Sequence, residues 1–211
     1  MSDFDKIANL LYTMQAENLD LAFDLAESQN ISLRPIYDQL ADVLSDASFQ
    51  ANIGWMNLPL PILIPQIQRI YSLSIENSRL KALPPAFGLL QGVYLLEVVR
   101  TDIAVLPDTF GRLHRLKSCS FIDCHLSDLP ACLAQMPRLQ SLSLRQTKIE
   151  HLPAVVANCR ELKTLDISEN PKLQKIDFQL LNSLPKLQNL ILDIHHHASL
   201  PQKWHEIAKW V

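Results

Sequence analysis

The stretch Leu139-Gln140-Ser141-Leu142-Ser143-Leu144-Arg145-Gln146-Thr147-Lys148-Ile149-Glu150-His151-Leu152-Pro153 decides the fold, because its pattern recurs on both sides at a nearly fixed interval. Its first leucine aligns with Ile70, Val93, Leu116, Leu162 and Leu187, which gives four spacings of 23 residues and one of 25. In each unit apolar residues alternate over a short run: Leu73/Ile75, Leu96/Val98, Cys119/Phe121, Leu142/Leu144, Leu165/Ile167 and Leu190/Leu192. Alternation with period two is a short strand with one face buried. No single unit of this size can bury that face alone, so the units stack into a solenoid with the strands in parallel on its concave side.

The rest of each unit turns the chain back. The next inward position holds Ser78, Thr101, Cys124, Thr147, Asn170 and His195. After it come Leu80, Ile103, Leu126, Ile149 and Leu173, then the steps Leu83-Pro84, Leu106-Pro107, Leu129-Pro130, Leu152-Pro153 and Leu200-Pro201. Proline suits a tight convex return because its φ is fixed and no strand hydrogen bond is lost. Phe87, Phe110, Leu133, Val156 and Trp204 then close the core from the convex side. The unit with Asn170 carries the two extra residues and replaces Leu-Pro by Ile176-Asp-Phe178, which predicts a fuller helix over 177–184.

Residues 1–45 have helical periodicity in three short segments, none long enough to stand alone in water, and form an N-terminal helical cap over the open end of the leucine ladder. Residues 46–66 read as a degenerate first repeat, with Phe49, Ala51 and Ile53 alternating as a strand does. The six clear repeats occupy 67–200, and 201–211 is the C-terminal cap, where Trp204 and Ile207 cover the last ladder.

Composition excludes several classes. Net charge is −3, and 1–50 carry nine acids against two bases, an acidic cap on a mildly basic solenoid. This balance argues against a nucleic-acid partner. The longest apolar run, Leu58 to Pro65, is broken by prolines, and Met1-Ser-Asp-Phe-Asp places acid where a secretory leader carries base, so neither a membrane span nor export is expected and the expected location is cytoplasmic. Cys119, Cys124 and Cys159 fall on inward positions and Cys132 in a convex segment, which reads as reduced thiols rather than a disulfide or zinc framework. Neither GxSxG, HExxH, GxxxxGK[ST] nor GxGxxG occurs, so the reading is not an enzyme, with no catalytic residues, no cofactor and no metal.

Leu83-Pro-Pro-Ala-Phe87-Gly88-Leu and Leu106-Pro-Asp-Thr-Phe110-Gly111-Arg-Leu113 resemble the convex segment of the 23-residue intracellular leucine-rich repeats, the Ras-suppressor-like and plant Ras-group-related class. The resemblance covers roughly residues 60–207. It implies an α/β leucine-rich-repeat right-handed solenoid, a horseshoe with a parallel concave β-sheet, and a role as adaptor or regulatory subunit. A bacterial effector class joins such repeats to a ubiquitin-ligase domain through a Cys-x-Asp motif, and none of the four cysteines here is followed by x-Asp.

The concave face is the expected site for a protein partner. Its candidate residues are Glu76, Asn77, Arg79, Glu97, Val99, Arg100, Asp102, Ile122, Asp123, His125, Arg145, Gln146, Lys148, Ser168, Glu169 and Asp193. The central rows are serine-rich, a shallow trough for a partner's larger groups, and Arg145 beside Lys148 is the expected contact for an acidic one. Two other readings stay open: a self-associating structural protein, from Leu95, Val99, Ile122, Ile191 and Ile194 on outward positions, and a secreted or host-directed effector fragment. The expected state is a monomer or weak homodimer. His195-His196-His197 suggests a metal, yet if the strand continues through them His195 and His197 point inward and His196 outward, so the three rings cannot converge.

Overall fold

Alternate leucines need a partner one repeat away, and the computed structural model, which describes residues 1–46, 58–174 and 176–211, supplies it. Among the described residues, seven strands form one sheet in chain order: β1 Ser72–Glu76, β2 Leu95–Thr101, β3 Ser118–Cys124, β4 Ser141–Arg145, β5 Thr164–Asp166, β6 Asn189–Leu192 and β7 Ala208–Trp210. Every neighbouring pair is parallel. The register advances by one repeat, so Leu73 faces Leu96, Cys119 faces Leu142 and Leu165 faces Leu190. Like residues therefore stack on like, and Leu73, Leu96, Cys119, Leu142, Leu165 and Leu190 are all buried in one continuous core.

On the convex side, short 3-10 helices at Pro85–Leu89, Asp108–Arg112, Ala131–Gln135 and Ala154–Asn158 each follow a Leu-Pro step whose proline is the N-cap. Phe87 and Phe110 are buried beneath them, with ring centroids 6.0 Å apart. Adjacent returns pack closely enough to demand glycine: a Cβ on Gly88 would sit 2.6 Å from Thr109 Cβ, and one on Gly111 2.7 Å from Cys132 Cβ. Thr109 also donates from Oγ1 to the Pro85 carbonyl at 2.7 Å, joining one return to the next.

The chain leaves the sheet through a left-handed residue in each of the first five repeats. Asn77, Arg100, Asp123, Gln146 and Glu169, spaced at 23 residues, all have φ between 52 and 55°. None is glycine, so each side chain accepts backbone strain of about 1–2 kcal/mol and is held outward at the rim of the concave face. The next residue inward satisfies the turned backbone. Asn170 is fully buried; its Nδ2 donates to the carbonyls of Leu144, Ile167 and Ser168, while its Oδ1 accepts from Thr147 N at 2.7 Å. Cys124 does the same less completely, through Sγ to the Val98 carbonyl at 3.3 Å.

The N-terminal helices α1 Asp3–Thr13, α2 Ala16–Ser28 and α3 Arg34–Asp46 form the helical cap. Helix α1 begins with a reciprocal cap, Ser2 Oγ accepting from Asp5 N while Asp5 accepts from Ser2 N. The cap lies against more than the end of the ladder. Helix α3 packs on β1 and on the return at 85–89, α1 on the returns at 85–89 and 108–112, and Ala86 N donates to Gln39 Oε1 at 3.1 Å. Helix α4, Leu60–Ile67, precedes β1 with Leu60, Leu63, Ile64 and Ile67 buried. The alternation at Phe49, Ala51 and Ile53 lies outside the described residues.

Three expectations are corrected. The fuller helix at 177–184 is one α-turn, α5 Phe178–Leu181, begun by Asp177 accepting from Gln179 N and continued by i+3 turns to Leu184. The C-terminal segment is more than a lid: after Trp204 is buried, 208–210 join the sheet as β7. The strand does not run through the histidines. It ends at Leu192, and Ile194–Ser199 coil into a 3-10 turn that buries His196 and leaves His195 and His197 exposed, the reverse of the expected facing. A three-residue period replaces the two-residue one there.

Leu142→Ala should cost about 2–5 kcal/mol in chemical denaturation as a core cavity, and a near-neutral result would put Leu142 outside the ladder. Gln146→Gly should be close to neutral, since relief of strain offsets added chain entropy, whereas Gln146→Val should lower stability by about 1–2 kcal/mol. Equal stability of the two variants would remove the left-handed column.

Candidate functional site: the concave face

The strand register sorts outward side chains into rows across the sheet. One row is Ser72, Leu95, Ser118, Ser141, Thr164 and Asn189, and the next is Ser74, Glu97, Ser120, Ser143, Asp166 and Ile191. The third row is Glu76, Val99, Ile122 and Arg145. The first two are dominated by short hydroxyl side chains, so the sheet is open to a partner's larger groups. The third is a patch of different character, with two half-buried aliphatic residues between acid and base.

Ion pairs close both ends of that third row. Arg100 donates from Nε to Asn77 Oδ1 at 2.9 Å and lies 3.7 Å from Glu76. Arg145 pairs with Glu169, its Nε 2.8 Å from Oε1. Both pairs are partly exposed and add little to stability, about 0–1 kcal/mol each, but they fix where charge sits around Val99 and Ile122. Glu169, one repeat and one residue away, already meets Arg145, so the cation expected to contact an acidic partner beside Lys148 carries a counter-charge of its own. Lys148 is exposed two positions past Gln146, and Arg79, Asp102 and His125 stand in the corresponding exposed places, with His125 Nδ1 3.7 Å from Asp102.

Two expected contacts have other work. Ser168 is buried, because Asp166 ends β5 after three residues by accepting from both Ser168 N at 3.1 Å and Ser168 Oγ at 2.7 Å. It is not available to a partner. Asp193 accepts from Glu169 N at 2.6 Å and from Asn170 N at 3.1 Å, standing in for the strand bonds the sheet does not make there. The remaining candidates, Asn77, Glu97, Asp123 and Gln146, are exposed.

The sequence reading passed over an aromatic corner at the other ends of the strands. Tyr71 and Tyr94 stack with centroids 4.8 Å apart, Lys117 Nζ lies 4.7 Å from the Tyr94 centroid, and Leu95 beside them is exposed. The signal was present: two tyrosines 23 residues apart, each just before a strand. Such a corner combines rigid apolar area with a cation.

All four cysteines are free and buried; burial raises every one of these thiols above its ordinary range, Cys159 to about 11. None is a ready thiolate at neutral pH. His196 is moved the other way. Burial, then the neighbouring His195, lowers its imidazole from the ordinary 6.5, while Asp193 and a backbone hydrogen bond at Leu173 oppose the shift.

Comparison with known proteins agrees with this geometry. The leucine rich repeat family model matches residues 137–194, the stretch that contains Asn170. No curated protein matches the sequence. Solved structures do, among them that of PEPR1-AtPEP1, 16% identical over 76% of this chain and 25% of that one, with a TM-score of 0.53. A Leptospira interrogans leucine-rich-repeat protein is 19% identical over 85% of this chain and 53% of its own, with a TM-score of 0.54. The leucine-rich-repeat domain of the type III effector XopL is 25% identical over 91% and 71%, with a TM-score of 0.56. The chain thus spans about a quarter and about half of the first two structures' lengths.

The neutral, buried His196 makes a pH prediction. Its folded pKa lies below its unfolded one, so the unfolded chain binds the proton more readily, and stability present above about 6.5 is lost as pH falls toward the folded value. Melting temperature measured from pH 8 to 5 should decline below about 6.5, and His196→Leu should flatten that part of the slope. An unchanged slope would place the titration elsewhere.

Proposed function

We propose that this leucine-rich-repeat protein is a non-enzymatic interaction module, an adaptor or regulatory subunit that holds a protein partner on its concave face. The observation that carries the reading is the third row: Val99 and Ile122 side by side, flanked by Glu76 with Arg100 and by Arg145 with Glu169, beside two rows of small hydroxyl side chains. An apolar centre inside a charged rim is the anatomy of a binding hot spot. The six strands β1 to β6 that carry these rows, at roughly 4.8 Å spacing, span about 24–29 Å, room for one helix laid across them or for one small-domain face. The partner supplies the bulky anchors, which settle into the serine rows, and the ion pairs fix its orientation. Four buried, free thiols suit a reducing compartment, consistent with a cytoplasmic location.

A second reading, the repeat module of a host-directed effector, draws on the likeness to the effector domain that covers 91% of this chain. It differs in where the partner resides, not in which face binds it. Finding the protein inside host cells after contact with its source organism would favour it; finding it only in the source cells would remove it.

Affinity capture from lysate of the source organism, with retained proteins identified by mass spectrometry, tests the site. Val99→Lys with Ile122→Glu should abolish retention of a partner held by the intact chain while the circular dichroism stays that of the intact chain, because both side chains point outward and the new charges stand beside Glu76 and Arg145. Arg145→Glu with Lys148→Glu should weaken retention and make it less sensitive to salt. Retention unaffected by either pair would move the site off this face.

A further inference from the structure

We propose that Asp193, His195 and His196 form a binding site for a divalent transition-metal ion, with zinc the ion that best fits the donors. The site arises from the break in the repeat. Strand β6 stops at Leu192, Asp193 is still extended at φ −71° and ψ 143°, and the chain then enters the 3-10 turn Ile194–Ser199. His196 N donates to the Asp193 carbonyl at 3.0 Å, closing a three-residue turn that brings residues 193 and 196 to one side, with 195 beside them. The His195 and His196 ring centroids are 4.0 Å apart. One donor atom from each of the three residues lies within 4.8 Å of the others.

Two further observations point to a ligand. His196 is only 2% exposed, yet its Nε2 has no hydrogen-bond partner among the described residues. Buried polar atoms are nearly always satisfied, and a buried imidazole with an unpartnered nitrogen, in a residue that shares a donor cluster with a carboxylate and a second imidazole, is the arrangement a cation completes. Asp193 is already held in place by the amides of Glu169 and Asn170. A carboxylate offers about four lone-pair sites, so these two bonds leave donors free while fixing the group's orientation, as outer-shell partners do for metal ligands.

The donor set selects the ion. Two imidazoles and one carboxylate suit zinc and its neighbours, whereas calcium and magnesium take oxygen ligands. Zinc–ligand bonds of about 2.0–2.1 Å put donors roughly 3.3 Å apart around a tetrahedral ion. His195 is exposed and closes the remaining gap by turning its own side chain, while His196 and Asp193 stay in place. An open pocket lined by Glu169, Gln174, Asp193 and His195 adjoins the site, so a fourth position faces solvent.

The test is titration of the intact, chelator-treated protein with Co²⁺, read by visible absorption, followed by displacement with Zn²⁺. The expected result is saturable one-to-one binding that weakens as pH falls below about 6.5, because imidazoles coordinate only when neutral. His195→Ala, at an exposed position, should keep its circular dichroism and melting temperature and lose at least about ten-fold in affinity. His196→Gln should lose as much where it folds. His197→Ala with His205→Ala, whose rings are 5.4 Å apart, should bind as the intact chain does. No saturable change, unaltered affinity in His195→Ala, or equal loss in the His197/His205 variant would overturn the site.

Discussion

Burial of alternate strand side chains against those of the next repeat is the constraint on which the rest depends. Each strand offers only two or three inward residues, too little apolar area to order a repeat alone, so stability accrues by stacking. Stacking works only if register is kept, because a shift by one residue would turn the whole ladder outward. The 23-residue spacing keeps it from β1 to β5. The 25-residue step before β6 places its surplus in the loop and helix between strands, so Leu165 still meets Leu190.

The concave face inherits its order from that register. Side chains that alternate with the leucines line up as strictly as the leucines do, which is why small hydroxyls form rows and why Val99 meets Ile122. At the rim the left-handed residues at 77, 100, 123, 146 and 169 hold charged or amide side chains outward at repeat spacing, and pairs then form between repeats, Arg100 with Asn77 and Arg145 with Glu169. A partner on this face, as proposed, would meet a surface prepared by packing beneath it, with little side-chain entropy left to lose around the apolar pair.

Much of this was legible in the sequence because two periods, two residues and 23 residues, reinforced one another. The inward leucines, the outward rows, the convex prolines and the helical cap all follow from them. What escaped did so where a period broke. The histidines were read as strand, and a 3-10 turn inverted their facing. Ser168 was read as outward, although Asp166 two residues earlier can end a strand by capturing the following amide and hydroxyl, a local bond that alternation does not encode. Strand β7 is three residues long, beside a turn and without a leucine, so no pattern announced it. The pair of Arg145 with Glu169 spans 24 residues, one more than the repeat, a separation that only the stacked rim brings into contact.

The central claim is that the serine-lined sheet, not the acidic helices or the convex returns, receives the partner. Site-specific photocrosslinking measures this directly, with benzoylphenylalanine placed in turn at Ser120 on the sheet, Gln135 on the convex side and Asp20 on α2, in cells of the source organism. The account predicts a covalent adduct of one partner from Ser120 and none from the other two positions. An adduct from Gln135 or Asp20 with none from Ser120 would contradict it.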